Sequence, residues 1–555
     1  MTNEHTSYYL TTPIYYVNDV PHLGTAYTTI AADIMARYRR MCGHDVFFLT
    51  GLDEHGQKVE QAATAAGYTP QAWVDKLAPA FLETWKMLNI SNDAFIRTTE
   101  AAHTRSVQEL ARRLHESGDI YRGSYEGWYC VPDEAYWAAS DLDDAEMVEV
   151  PDSPDDSLDG EEEKGGSASI KVPLCPDCHR PLKYVTEENW FFRLSKYADW
   201  LLDLYENDPD FIGPETRRNE VISFVKSGLK DLSISRANVK WGIPLPWTGE
   251  GDEAQTMYVW FDALINYLTA VGFGAPDGEG DEEFAYRWPA QVQYVGKDII
   301  RFHCIIWPAM LHAAGLPVPK QVFAHGFLLA RGEKMSKSKG NAASPAELVK
   351  RFGVDGYRYY FFRDVTFGQD GSISDEAMVQ RFNGDLANDW GNLVSRLFSM
   401  VGKYCDGRVP TYVGDSAADG AEGAILRAIA AGLYDKVEAA YDRFDYSGAL
   451  VAIWELVRAA NRYLEESAPW GLAKDPAQAD RLANVLYSAL EAVRIVALYS
   501  APTMPATSDE VCARLGLAPA TTVGDLRREA EWGRLPAGNI VRKGDPLFLR
   551  LERTK

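Results

Sequence analysis

The chain has 555 residues, 46% of them hydrophobic and 25% charged, which is too long for one core and ordinary for a folded globular protein, so two to four domains are expected. The net charge of −24 speaks against nucleic acid only at first sight: residues 141–164 hold 12 acids and one lysine, the remainder carries −13, and a global charge says little about a local phosphate groove. No apolar run approaches the ~20 residues that span a bilayer, the N-terminus lacks the pattern of a signal peptide, and seven cysteines with one close pair, Cys175 and Cys178, suggest a reducing, cytoplasmic setting without a disulfide framework.

The stretch "SYYLTTPIYYV" (7–17) predicts a buried strand, aromatic and β-branched without a 3.6-residue period. "PHLG" follows it. Ala26, Ile30, Ile34 and Tyr38, at steps of four, then predict an amphipathic helix that stops near Gly43. "DVFFLTGLDEHG" (45–56) predicts the next strand and its exit loop, making a right-handed βαβ unit of a parallel sheet. Residues 60–115 read as mostly helical. The segment 120–190 combines short β runs, turns, cysteines and the acidic stretch 141–164, expected to be a disordered surface loop. Sheet-like runs resume at 256–268, 292–300 and 321–330, and are expected to form the second half of the parallel sheet. Beyond about 376 the pattern turns helical, and the Ala/Leu-rich run 424–466 resembles a bundle.

Two features of this pattern suit a polyphosphate. His22 and Gly24 fall where the first strand meets the first helix, and a helix N-terminus offers free N–H groups and partial positive charge to phosphate. An imidazole there can stabilise charge developing on a phosphoryl group. The second is "EKMSKSKG" (333–340), which sets Lys334 and Lys337 on a hydroxyl-rich loop with Ser336. Ammonium groups act as mobile point charges for phosphate oxygens.

H-L-G after the first strand and K-M-S-K-S about 310 residues on resemble the paired signatures of class I aminoacyl-tRNA synthetases. The class's H-I-G-H pattern ends here in Thr25, an uncharged and weaker phosphate donor. Within the class the chain resembles the methionyl-tRNA synthetase family, from about residue 7 to the C-terminus, apart from the acidic stretch and a second acidic loop near 277–283. The resemblance implies ATP-dependent attachment of L-methionine to methionine tRNA through a methionyl-adenylate, with Mg2+ accompanying ATP. It implies that Ile14 and Tyr16 of "TTPIYYVNDVPHLG" line the amino-acid pocket and that Asp53 of "GLDEHG" holds the substrate ammonium. Trp260, Ala263, Leu264 and Tyr267 of "YVWFDALINY", with Ile299 and His303 of "VGKDIIRFH", would complete the pocket. Lys297 and Asp298 would approach the nucleotide, and His325 and Gly326 of "AHGF" would lie near adenine. Lys334 and Lys337 would hold the β- and γ-phosphates. Arg236, ending "KDLSISR", is an implied functional arginine. A thioether packs well against aromatic faces, and Tyr16, Trp260 and Tyr267 provide them.

In the helical region the resemblance makes Asn392, Arg396 and Trp470 anticodon readers. Their types suit unpaired bases, which are recognised by stacking and by hydrogen bonds to base edges. Cys175-x-x-Cys178 is one zinc knuckle, and Cys130 opens another whose second position is Asp133. Three thiolates with Asp133, His179 or water can hold Zn2+; equally, the site can fold without metal. The expected architecture is an α/β Rossmann-like, doubly wound parallel sheet split by an insertion domain and followed by an all-α anticodon-binding bundle. Its segments are 1–115 and 231–330 (catalytic halves), 116–230 (connective insertion), 331–376 (lysine loop and linker), 377–530 (helical domain) and 531–555 (tail). A class I synthetase for leucine, valine or cysteine and a non-enzymatic tRNA-binding paralogue are the alternatives. The lack of a large editing insertion and the Trp260/Tyr267 pair weigh against leucine and valine, and intact His22, Asp53, Lys334 and Lys337 against the paralogue. No appended OB-type module follows "GDPLFLRLERTK", so a monomer that charges initiator and elongator methionine tRNAs, away from membranes, is expected.

Overall fold

The computed structural model describes residues 6–17, 20–130, 135–137, 142, 145–151, 169–176, 178–237, 239–247, 254–330, 333–334, 344–414 and 420–552. Most of the acidic stretch, Asp133, Ser336 and Lys337 lie outside the described residues.

The centre is a six-stranded sheet in the spatial order Ala94–Arg97, Asp45–Asp53, Ser7–Tyr16, Val292–Gly296, Val322–His325, Ile212–Gly213. Every neighbouring pair is parallel. Residues alternate between its faces, as the period of two demands. Leu10, Phe48 and Phe323 enter the core on one face, while Tyr9, Leu49, Val322 and Ala324 enter the core on the other. Both faces are covered by helices, the condition under which purely parallel sheets occur. The first strand turns into helix Leu23–Met41; chain order runs outward in one direction from Ser7–Tyr16 through Asp45–Asp53 to Ala94–Arg97 and in the other from Val292–Gly296 to Val322–His325, with the earlier strand Ile212–Gly213 added at that edge. That reversal is the topological switch point, where ligands of open α/β sheets bind beyond the strands' carboxyl ends.

Four segments differ from the sequence expectation; one is Leu328–Ala330, within 321–330, which leaves the central sheet to pair with Glu333–Lys334 and Gly371–Ile373. Ala94–Arg97, inside the run expected to be helical, is a sheet strand. Four residues are too few to show a period, and its pairing with Leu49–Leu52 decides the matter. The run 256–268 contributes only Thr256–Met257, antiparallel to Ser235–Arg236. It then becomes the helices Val259–Leu264 and Asn266–Thr269, a case of tertiary packing overriding β-propensity. Ile212–Gly213, within 116–230, forms the edge of the central sheet beside Val322–Phe323.

The insertion contains an antiparallel sheet ordered Leu232–Ser233, Lys183–Phe192, Ile120–Cys130, Ala135–Trp137. The C-terminal part is helical: Asn392–Tyr404, Gly420–Ala431, Leu433–Asp442, Tyr446–Ser467 and Ala479–Ser500 lead its elements. Pro476–Ser500 is long and apolar enough to cross a bilayer by length and composition, and 89% of its apolar window is buried inside the protein. It packs closely with Tyr446–Ser467 as the bundle's central helix.

Candidate active site

The first helix begins in a turn built by its own residues. His22 caps it, with Nδ1 accepting from the backbone N–H of Gly24 at 3.0 Å and Thr25 at 3.4 Å. Thr25 closes the box: its hydroxyl accepts from the His22 N–H at 3.0 Å and donates to the His22 carbonyl at 2.8 Å. Since Nδ1 accepts, the neutral imidazole carries its proton on Nε2. The ring itself is exposed. A side chain at position 24 would meet that ring, with a Cβ only 3.0 Å from Cε1, which explains the glycine. The Thr25 hydroxyl, expected at a phosphate, is engaged in the cap.

His325 ends its strand inside this region. Its Nδ1 donates to the Gly326 carbonyl at 2.8 Å and its Nε2 meets the Thr28 hydroxyl at 2.6 Å. Burial lowers its pKa, so the ring is a neutral, oriented group. At Gly326 any side chain would strike the backbone of Gln369 and Asp370. Asp370 in turn accepts the Phe327 N–H at 2.8 Å and pairs with Lys297 at 2.7 Å. Lys297 is thus tied to the same loop that covers Gly326, its ammonium 4.4 Å from the centre of the Phe327 ring. Asp298 follows it in a short turn.

The expected amino-acid pocket gathers at the ends of the first two strands. Tyr16 and Asp53 are register partners, as are Ile14 and Gly51. A Cβ at Gly51 would overlap the Ile96 carbonyl at 2.2 Å. Asp53 is 7% exposed. Across the sheet, the Tyr267 hydroxyl meets His303 Nε2 at 2.7 Å, while His303 Nδ1 lies 3.1 Å from the Ile299 carbonyl. A carbonyl only accepts, so Nδ1 holds the proton and Tyr267 donates to Nε2. Burial pushes the His303 pKa down to about 4. The segment Phe302–Ile306 is a π-helical turn, a feature common at functional sites. Trp260 stacks on Phe302 with ring centres 3.8 Å apart. Ala263 and Leu264 are buried on the same short helix.

Arg236 is buried between the insertion and the catalytic core. It donates to the Ser235 carbonyl at 2.8 Å, and its guanidinium lies 4.1 Å from the Tyr258 ring centre and 5.5 Å from that of Tyr129. Lys334 is described at the backbone level, paired with Leu329 in a small antiparallel ladder. In the helical part, Arg396 pairs with Glu465 at 3.6 Å, near the end of helix Tyr446–Ser467. The chain leaves that helix through Ala468 in the left-handed conformation (φ 42°) and enters Pro469–Leu472. Trp470 is 43% exposed, and Asn392, at the start of its helix, is exposed too.

The thiols of Cys130, Cys175 and Cys178 lie within 4.8 Å of one another, the first and last 3.5 Å apart. Ligands ~2.3 Å from a tetrahedral zinc sit about 3.8 Å apart, so the three fit such an ion. The knuckle is shaped by a hydrogen bond from the His179 N–H to the Cys175 carbonyl at 2.9 Å and by a positive φ at His179.

Residues not singled out in the sequence also meet here. Asp262 accepts from His55 Nδ1 at 2.6 Å and from His103 Nε2 at 2.7 Å. Burial would raise its carboxyl, but the two imidazoles hold it at about 2. Two of the three lie inside quoted motifs, yet only the fold brings them to His103. Phe302 likewise had no signal beyond adjacency to His303.

A family profile described as tRNA synthetases class I (M) matches residues 8–398, and one described as the anticodon binding domain of methionyl tRNA ligase matches residues 413–555. The chain is 47% identical over 553 residues to the methionine–tRNA ligase of Streptomyces coelicolor, covering 98% of this chain and 97% of that one. It is 46% identical over 546 residues to that of Caldanaerobacter subterraneus subsp. tengcongensis, covering 98% of this chain and 79% of that one. A solved structure of Mycobacterium tuberculosis methionyl-tRNA synthetase in complex with methionyl-adenylate superimposes with a TM-score of 0.88 at 44% identity, covering 98% of this chain and 100% of the other.

Proposed function

The chain belongs to the methionyl-tRNA synthetase family of class I synthetases, and from that premise we propose how its residues divide the work of attaching methionine to tRNA. The reaction has two steps. The methionine carboxylate attacks the α-phosphate of ATP, forming the mixed anhydride and expelling pyrophosphate. A terminal ribose hydroxyl of tRNA then attacks the activated carbonyl and releases AMP. Catalysis rests on positioning and on charge stabilisation, with no protein nucleophile.

Asp53 takes the substrate ammonium. Ile14, Tyr16, Trp260, Ala263, Leu264, Tyr267, Ile299 and His303 enclose the thioether side chain. The register pairing of Tyr16 with Asp53 is the observation that most supports this reading. It sets an aromatic face and a buried carboxylate side by side at the sheet's carboxyl edge. His303, held neutral, orients the Tyr267 hydroxyl without adding charge. His22 Nε2–H and the positive end of the first helix face the phosphates, with the Gly24 and Thr25 N–H groups fixing the imidazole through Nδ1. Gly24, Lys297, Asp298, His325 and Gly326 form the nucleotide side, and Lys334, Ser336 and Lys337 close over the pyrophosphate. ATP would enter as its Mg2+ complex, the ion supplying neutralisation of phosphate charge. Arg236, stacked on Tyr258, couples the insertion to the catalytic half.

Asn392 and Arg396 read base edges, and Trp470 stacks on an anticodon base. Arg396, paired with Glu465 at 3.6 Å, lies one helical turn from the exposed Asn392 on helix Asn392–Tyr404, which supports their acting together. Cys130, Cys175 and Cys178 would hold a structural Zn2+, tying the strand Ile120–Cys130 to the knuckle. The domain limits follow the division at 115, 330, 376 and 530, with the second catalytic half resuming before Ile212–Gly213, which belongs to the central sheet. The enzyme works as a cytoplasmic monomer, away from membranes, on initiator and elongator methionine tRNAs.

The test is amino-acid-dependent ATP–pyrophosphate exchange followed by charging of purified methionine tRNA. Methionine should give the fastest exchange. Faster exchange with leucine, valine or cysteine refutes the pocket assignment.

A further inference from the structure

Behind the proposed pocket wall lies a buried cluster that these assignments leave unused. Each oxygen of Asp262 receives one imidazole, His55 on Oδ2 and His103 on Oδ1. Asp262 and His103 are wholly buried and His55 is 6% exposed. A carboxylate only accepts, so both rings donate. The three residues come from three elements. His55 follows strand Asp45–Asp53, His103 sits on helix Ala101–Glu116, and Asp262 on helix Val259–Leu264. His55 stands two positions after Asp53. Asp262 stands two after Trp260 and directly before Ala263 and Leu264.

The turn bearing His55 is held along its length. The Glu54 N–H donates to the Thr98 hydroxyl at 2.9 Å, its carboxylate takes the Arg97 Nε at 2.7 Å, and its carbonyl takes the Trp241 indole N–H at 2.6 Å. Gly56, at φ 102°, donates to the Trp241 carbonyl at 3.1 Å. The opposite wall is different. Val259–Leu264 has six residues and no side-chain cap, and a helix that short has little stability of its own. Its placement depends on tertiary contacts, and Asp262 provides a two-point polar anchor reaching both the turn and the long helix behind it.

We propose that Asp262, His55 and His103 form a positioning clamp that fixes the Trp260–Leu264 wall against the turn carrying Asp53, and thereby sets the affinity for methionine. The inference rests on the pocket assignment above. The carboxyl, held at about 2, stays ionised throughout the working pH range, so both bonds persist. The clamp touches neither substrate nor ATP. Its signature is therefore a selective change in one Michaelis constant.

The experiment is steady-state ATP–pyrophosphate exchange on the full chain, with thermal melting in parallel. Asparagine places an amide N–H near the imidazole Nδ1 position and glutamine near Nε2, so His55→Asn and His103→Gln conserve the bonds that His55→Leu and His103→Leu delete. The leucine variants should raise the methionine KM about tenfold or more, the equivalent of one charge-assisted hydrogen bond, with the ATP KM within about twofold. The amide variants should return to within about threefold of the parent. Should the leucine variants not fold, Thr269→Val serves. It removes the hydroxyl that lies 3.1 Å from His103 Nδ1 and also donates to the Ile265 carbonyl at 3.1 Å, and the methionine KM should rise about two- to threefold. Both constants rising together, no rise in the methionine KM, or no recovery in folded amide variants overturns the clamp. Asp53→Asn separates the two ideas. An unchanged methionine KM there refutes the pocket itself, whereas a normal loss at Asp53 with silent His55 and His103 variants refutes the clamp alone.

Discussion

Both ring nitrogens of His303 are hydrogen-bonded, Nδ1 to the Ile299 carbonyl and Nε2 to the Tyr267 hydroxyl, and the ring is buried. Burial accordingly lowers its pKa from 6.5 to about 4. The folded value lies below the unfolded one. Between those values the unfolded chain binds a proton that the native protein does not, so stability falls as pH drops from 6.5 towards 4. Spread over that window, the loss from this residue is on the order of 3 kcal/mol. His303→Asn does not titrate, so its melting temperature should fall less than the parent's between pH 7.5 and pH 5. Equal falls would show that other groups carry the acid sensitivity. In the proposed reading Lys337 is the counterpart on the phosphate side. Lys337→Ala should slow adenylate formation by on the order of 10²–10³, the usual cost of removing one group aimed at transition-state charge, with little change in methionine binding. An unaltered exchange rate would remove the lysine from the mechanism.

Among elements, those with a long, clear pattern were legible. The first strand, the first helix and the second strand fall where aromatic, β-branched and four-step apolar spacing put them. Ala94–Arg97 was not legible, because four residues carry no period and only a neighbouring strand selects their conformation. Nor was Val259–Leu264, whose aromatic, β-branched composition favours a strand until Asp262 is drawn between two histidines. The same limit applies to the site. The motifs named Asp53, Trp260 and His303 singly, but His55, His103 and Phe302 acquire meaning only when distant segments meet. The cysteine knuckle shows where spacing suffices for one part and not for another. Cys175 and Cys178 are read directly, whereas the approach of Cys130 depends on the long pairing of Ile120–Tyr129 with Lys183–Phe192. If zinc joins them, Cys175→Ser should lose the metal by elemental analysis. A chelator should then lower the parent's melting temperature, because metal affinity released on unfolding is folding free energy. A stoichiometrically metal-free parent whose melting is indifferent to chelator would mean that the three thiols pack as small apolar groups.

At the scale of the whole molecule, the helical region is attached to one face of the catalytic sheet without a gap. A single apolar core runs from Leu10, Phe48 and Phe323 through Tyr441 and Tyr446 to Leu490. Arg358, wholly buried, donates to Asp33 on the first helix and to the carbonyls of Pro502 and Thr503. The proposed reading divides the labour across that attachment, with adenylate formation at the sheet's carboxyl edge and anticodon recognition in the helical region. Trp470 tests that division. Its ring is 43% exposed on a four-residue helix, so it supplies little of the core, and Trp470→Ala should leave the melting temperature nearly unchanged, as exposed substitutions do. Stacking with one base is worth roughly 1–3 kcal/mol, so charging of methionine tRNA should fall by about tenfold or more. Exchange measured without tRNA should stay near the parent rate. A joint fall of charging and exchange with early melting would make Trp470 a packing residue of the bundle. A fall in charging alone assigns the reading of tRNA to a region of a protein whose total charge of −24 argues, on its face, for the opposite.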